Sequence, residues 1–273
     1  MRKIDMHLHT CASDGSFTPQ EAAEEAKKKK MDFVCISDHD TVESSIEFIR
    51  MAKEFGIGSI PAMEATTTLR GVEYHILGYN VDLYSSLTDD FIRQTAEVRN
   101  QREYDIMREA VKMYDCLSMD EFLNYDRPYD LGGFPTLNYM KYKGIVNSYP
   151  EYAKIKEKMD LPEYCYWSSG ETIEMYRKTG AFVVLAHPSY HYRGGVMDEK
   201  QLDEFREMGI NGVECYSPYN AREEQIEYYK KYCKEHDLAV SGGSDCHGPY
   251  LTRDMGVPYV TDETSDILEY LGL

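Results

Sequence analysis

No stretch of this 273-residue chain approaches the roughly 18 or more uncharged apolar residues of a membrane span. The first residues, Met1-Arg2-Lys3-Ile4-Asp5-Met6-His7, contain no apolar run of the kind a secretory signal needs. Paired cysteines are missing too. The seven cysteines (Cys11, Cys35, Cys116, Cys165, Cys215, Cys233, Cys246) are odd in number, scattered, and include no Cys-x-x-Cys. That argues against a disulfide framework or a thiolate zinc site and predicts reduced thiols in a cytoplasm. Positive charge is in short supply: 30 Lys and Arg against 48 Asp and Glu leave a formal net charge of −18. Such a balance argues against a protein that coats long nucleic acid or an acidic membrane. It leaves room for a small anionic substrate held at a local positive site, which a cluster of divalent metals could supply.

What is present is a rhythm of short apolar runs and helical patterns. Residues 4–8, 33–37, 57–64, 181–186, 212–216 and 238–242 read as strands. Helical patterns lie near 44–55, 198–208 and 221–236, and Thr18-Pro19-Gln20-Glu21 opens another with an N-cap, a proline at the first position and an acid in the first turn. Lys27 to Lys30 close that helix, where cations suit the macrodipole. Repeated strand–helix units predict a parallel sheet with helices outside it, open or closed into a barrel. The middle breaks the rhythm with a long charged helical pattern over 89–114 and a Tyr/Gly/Pro-rich stretch over 127–152. It reads as a mostly helical insertion between two halves of one α/β domain, giving 1–82, 83–167 and 168–273, with 83–167 expected to cap the active site.

The histidines and acids carry the chemistry. His7-Leu8-His9 ends the first strand, and alternation points both imidazoles to one side. Asp14 follows in the next loop, Asp38-His39-Asp40 comes directly after the second strand, Glu64 ends the third, and His75 lies in the segment beyond. His187-Pro188 and Asp245-Cys246-His247 each follow a later strand. Six of the eight histidines thus fall at or just past predicted strand ends, the edge where parallel α/β folds assemble their sites. A lone histidine there is ordinarily a hydrogen-bonded structural residue. Six of them with Asp14, Glu64 and Asp245 would be costly to bury unpaired, whereas divalent cations use such N/O donors directly. Without a cysteine pair, the set suggests a catalytic rather than a structural metal site.

His7-x-His9 with Asp14, Asp38-His39, Glu64, His187-Pro188 and Asp245-x-His247 resembles the PHP (polymerase and histidinol phosphatase) family of metal-dependent phosphoesterases, over about residues 1–82 and 168–273. His75-Ile76-Leu77-Gly78-Tyr79 followed by an insertion resembles the branch related to the nucleoside 3′,5′-bisphosphate phosphatases. The resemblance implies a distorted seven-stranded (β/α) barrel and two to three divalent ions of manganese, iron or zinc. It assigns His7, His9, Glu64 and Asp245 to a first metal, Asp14, His39 and His247 to a second, and Glu64, His75 and His187 to a third. Catalysis would then run through metal-activated hydroxide, with Asp14, His39, Glu64, His187 and Asp245 as the residues that carry it. Asp38 is expected either to be structural or to hydrogen-bond an imidazole. Arg99 and Arg102 share a helix face, which is either solvated or forked onto a second phosphate. His191 is a candidate proton donor and substrate contact. Arg127-Pro128-Tyr129 resembles an Arg-Pro-His element of that branch, with tyrosine in place of the usual histidine. The expected substrate is a small nucleotide. The alternatives are histidinol phosphate, a short oligonucleotide cut by 5′-exonuclease action, or a non-catalytic polymerase-associated module.

Overall fold

The computed structural model describes residues 1–192 and 194–273. Strand β1 (Lys3–Leu8) is buried from Ile4 onward, as a strand covered on both faces must be. Helix α1 (Pro19–Lys28) follows and starts on a reciprocal cap. Glu21 N donates to Thr18 Oγ1 at 3.2 Å, and Thr18 N donates to Glu21 Oε2 at 2.8 Å. Its Ala22, Ala23 and Ala26 face the core, and Lys27 and Lys28 occupy the last turn. After β2 (Phe33–Ile36) and α2 (Ser45–Glu54), the chain enters β3 (Ala62–Leu69) and β4 (Val72–Tyr79).

These two strands form an antiparallel hairpin that the apolar pattern does not announce. Three consecutive threonines, Thr66 to Thr68, fill β3 where an apolar run would be sought, yet β-branched residues suit a strand. The two-residue turn is Arg70-Gly71, both with positive φ (53° and 78°), the geometry that matches strand twist. The third strand therefore lies later than residues 57–64, and the segment beyond it that carries His75 is a strand of its own.

The second half holds α7 (Ser169–Lys178), β5 (Phe182–Leu185), α8 (Glu199–Met208), β6 (Gly212–Tyr216), α9 (Glu223–His236), β7 (Ala239–Gly242), β8 (Val260–Thr261) and α10 (Ile267–Tyr270). The class is α/β, but the expected closed seven-stranded barrel is not the observed hydrogen bonding. The eight strands among the described residues form one sheet in the order β2-β1-β8 and another in the order β3-β4-β5-β6-β7. Among the described strands, β1–β2, β5–β6 and β6–β7 pair in parallel and β1–β8, β3–β4 and β4–β5 antiparallel. Closure fails for a local reason: β8 occupies the free edge of β1 at Lys3 and Ile4, which leaves only a single bridge, Leu8 to Cys246, toward the end of β7. A second single bridge, His39 to Glu64, joins the other edges. Both bridges sit at the end where the histidines gather. Between the sheets, Ile4, Met6, Leu77, Tyr79 and Val184 form a sealed core.

Between β4 and α7 run α3 (Ser86–Met113), α4 (Met119–Leu123), α5 (Pro135–Tyr142) and α6 (Tyr149–Lys156). They bury their own cluster, which includes Ile106, Met107, Tyr139, Met140 and Tyr152. The first turns of α3 belong to the main body, where Phe91 packs in the core and meets Trp167 edge-on at 5.4 Å. Among the described residues no helix is long and apolar enough to cross a membrane.

Candidate metal centre

His7 and His9 leave β1 on one side, both fully buried. Asp14 sits in the following loop, which is tied down from two directions. Arg127 donates to Cys11 O at 2.6 Å and to Ser13 O at 3.0 Å. Asp38 accepts from Thr10 N (2.7 Å), Thr10 Oγ1 (2.6 Å) and Ser13 Oγ (2.6 Å). Asp38 is thus a loop anchor rather than a partner of an imidazole. Gly15 is required here, because a Cβ would lie 2.6 Å from His9 O. Across the hairpin, Thr66 pairs with His75 and Glu64 with Leu77, so Glu64 and His75 are diagonal neighbours on one face. His187 and Asp245 follow β5 and β7 with φ of 23° and 46°, a strained backbone for residues with a Cβ and one that clusters at functional sites.

These elements converge on Glu64, whose side chain is wholly buried. Its Oε1 lies 3.1 Å from His75 Nδ1 and 2.9 Å from His187 Nε2. Its Oε2 lies 3.1 Å from His7 Nε2, 3.2 Å from His9 Nε2 and 3.2 Å from His39 Nδ1. Asp245 Oδ1 is 3.2 Å from His9 Nε2, and Asp14 Oδ1 is 3.3 Å from His247 Nε2. Among the described residues three groups of donors lie close enough to share an ion: His7, His9, Glu64 and Asp245; His9, Asp14, His39 and His247; and His39, Glu64 and His75. The first is the set expected from sequence. The second adds His9. The third contains His39 where His187 was expected, although His187 still touches Glu64.

Three buried atoms here, His9 Nδ1, His39 Nδ1 and Glu64 Oε2, have no hydrogen-bond partner among the described residues. Such atoms are costly to bury in apolar surroundings, and all three belong to donor types that divalent ions bind. The residues fit a multi-metal centre. Proton distribution in the metal-free protein points the same way. Burial opposes charge on His9 and His75, but the adjoining carboxylates outweigh it and carry them up to about 9 and about 10. His7 is likewise raised by Glu64, Glu214 and Asp245 against its burial, whereas burial pulls His39 well below its usual value despite Glu64 and Asp14. Burial also opposes ionisation of Glu64, yet His7, His39 and His75 hold it well below the carboxylate range. Protons on imidazoles balance the carboxylates where cations otherwise would.

Donors of the centre line a cavity of about 290 Å³ together with residues of α3, α5 and α6. Arg99 and Arg102 both line it, but neither is a free solvated face. Arg99 pairs with Asp40, bonds Thr66 Oγ1 at 2.8 Å and lies 4.2 Å over the Phe134 ring. Arg102 pairs with Glu73 at 3.0 Å. His191 is not brought in: it is exposed, and its Nε2 donates to Glu73 O at 2.6 Å beside a smaller pocket. Tyr129, the departure from Arg-Pro-His, is also a surface residue, 3.4 Å from Glu21.

Residues 5–272 match the PHP domain. The chain belongs to the PHP domain family. A 5'-3' exoribonuclease from Haemophilus influenzae is 27% identical over 264 residues, covering 93% of each chain. A 3',5'-nucleoside bisphosphate phosphatase from Chromobacterium violaceum is 24% identical over 255 residues, covering 91% of this chain and 88% of its own. A solved structure from Bifidobacterium adolescentis, provisionally described as a metal-dependent phosphoesterase, matches with a TM-score of 0.85 at 26% identity, covering 98% of this chain and 95% of that one. The chain is accordingly a metal-dependent phosphoesterase, a hydrolase of the PHP family, and the non-catalytic alternative is set aside.

Sequence reasoning missed two acids and an arginine of this PHP domain. Glu214, fully buried on β6, accepts from His7 Nδ1 at 2.9 Å and from His187 N at 2.7 Å. Asp5, buried on β1, accepts from Ser244 N at 2.9 Å and Gly256 N at 2.8 Å, which fixes the chain entering Asp245. A lone acid inside an apolar strand was the available signal for both. Arg253, which pairs with Asp245 and Tyr219, carried no signal at all.

Proposed function

We propose that this chain hydrolyses a phosphomonoester of a small nucleotide, such as a nucleoside 3′,5′-bisphosphate, using two to three divalent ions of manganese, iron or zinc. The observation that carries the reading is Glu64 Oε2, buried, without a hydrogen-bond partner, and within 3.2 Å of nitrogens from three histidines. His7, His9, Glu64 and Asp245 would hold one ion, and Asp14, His39 and His247 another. Glu64 and His75, with His187 or His39, would hold a third. Bound ions supply an activated water nucleophile and offset charge on the phosphoryl oxygens. Glu214 keeps the His7 ring turned by accepting from its Nδ1, which leaves Nε2 for the ion. The cavity is close to the lower end for a small-molecule site. Tyr149, Tyr190 and Tyr219 give it aromatic walls that suit a nucleobase. Residues 83–167 act as the cap that selects the substrate, and seven free cysteines fit a cytoplasmic setting.

A second reading, 5′-exonuclease action on short oligonucleotides, is favoured by the exoribonuclease relative that matches along both chains. Histidinol phosphate is disfavoured by the insertion after His75. Metal content of the purified protein, followed by kcat/KM on a bisphosphorylated nucleotide, a short 5′-phosphorylated RNA, histidinol phosphate and an aryl phosphate, tests these readings together. More than one ion per chain and a preference for the bisphosphate are expected. A metal-free protein that cannot be loaded, or metal-loaded protein that hydrolyses none of the four, overturns the reading.

A further inference from the structure

Among the described residues, three of the four lysine and arginine side chains lining the cavity are neutralised where they stand: Arg99 by Asp40, Arg102 by Glu73 and Arg253 by Asp245. The fourth is Lys156, in the last turn of α6. Among the described residues no carboxylate lies within 4.0 Å of its Nζ, and the ammonium donates no hydrogen bond. Of the cavity acids whose charge acts on it, Glu103 already accepts from Thr136 N at 2.7 Å and Glu73 is paired with Arg102. Lys156 is half-buried, and its Nζ stands 5.1 Å from the centre of the buried Tyr152 ring. An ammonium that has lost part of its water and gained no counter-ion is poised to take an anion from the cavity. Burial and the neighbouring Arg102 push it below its ordinary value, and Glu103 and Glu73 offset this only in part. That is the electrostatic signature of a place where negative charge is wanted.

We infer that Lys156 binds a second phosphate of the substrate, one nucleoside away from the phosphate that faces the metal donors. The inference rests on the phosphoesterase reading above and names the substrate class of the same site. Arg99 and Arg102 are less suited to this part, because each must first give up a carboxylate partner. Lys156 has none to give up. The second phosphate has two sources, the other end of a nucleoside bisphosphate or the first internal linkage of a 5′-phosphorylated dinucleotide.

The test compares the full chain with Lys156→Met, which keeps the stem over Tyr152, and Lys156→Arg, which keeps the charge. kcat/KM is measured on adenosine 3′,5′-bisphosphate, a 5′-phosphorylated diadenosine, adenosine 5′-monophosphate and an aryl phosphate. In Lys156→Met the ratio of kcat/KM on a substrate with two phosphates to that on the monophosphate should fall roughly tenfold to a hundredfold, the effect of one charge-assisted hydrogen bond. Lys156→Arg should restore most of that ratio. Whether the bisphosphate or the dinucleotide shows the fall identifies the source. Equal losses on all four substrates, or none on any, overturn the inference. If the wild-type chain hydrolyses none of the four, the phosphoesterase reading fails separately. Calorimetric binding of the bisphosphate and of the monophosphate, with and without chelator, then decides the role of Lys156. Selective weakening of the bisphosphate in Lys156→Met upholds it, and unchanged selectivity ends it.

Discussion

Replacing Glu64 by glutamine removes one negative charge from the point where five imidazoles meet, at almost no change in volume. His7, His9 and His39 stand within 3.2 Å of Oε2, and His75 and His187 within 3.1 Å of Oε1. Glu64 serves two of the three donor groups, and it is the only carboxylate in the group of His39 and His75. Even an outer partner of a metal ligand is worth about 10–100-fold in affinity, so a shared direct ligand should be worth at least about a hundredfold. Metal at a hundred times its Kd stabilises the fold by about 2.7 kcal/mol per ion, which for a chain of this size raises Tm by roughly 5–11 °C. After a hundredfold loss the same concentration only equals Kd, and the gain shrinks to about 0.4 kcal/mol, or roughly 1–2 °C. The assay is a pair of thermal melts, wild type and Glu64→Gln, with chelator and with manganese, beside metal content and aryl-phosphate turnover. Circular dichroism of the chelated variant checks that it folds. A folded Glu64→Gln protein with the wild-type Tm gain, metal content and turnover would refute the reasoning.

Glu214→Gln should weaken metal binding by about 10–100-fold, because the amide can present an N–H to His7 Nδ1 and lose the orientation of the ring; a metal titration that matches wild type contradicts this. In the metal-free protein, charged His9 and His75 stabilise the fold fully below about pH 6.5, and the contribution is lost as pH rises through about 9 to about 10. Manganese must displace these protons, so its affinity should climb with pH and its binding near neutral pH should release protons; calorimetry in buffers of different ionisation enthalpy showing no release counts against the assignment. Arg99→Ala should lower stability by about 3–5 kcal/mol as well as activity, because it strands the buried Asp40. A denaturant midpoint unchanged from wild type would contradict the stranding of Asp40.

Local chemistry alone determined much of this protein. The alternation of His7 and His9, the helix start at Thr18 with its acid in the first turn, the buried-type β2 and the long α3 follow from spacing within a few residues, and the structure contains each of them. The gathering of His7, His9, His39, His187 and His247 at or just past strand ends was legible for the same reason, since a strand exports its period-two geometry wherever it is placed, whereas His75 lies inside β4. The tertiary structure decided which groups face one another. Glu214 stands behind His7 although 207 residues separate them, and Asp38, adjacent to a predicted ligand, turns away to hold a loop. Arg99 reaches across 59 residues to Asp40, so a pair that looked free on its helix is bound. β8 takes the edge of β1 on which barrel closure depended. Periodicity records only which side of its own element a residue occupies; the partner on that side is set by how distant elements pack, and no short-range pattern encodes it.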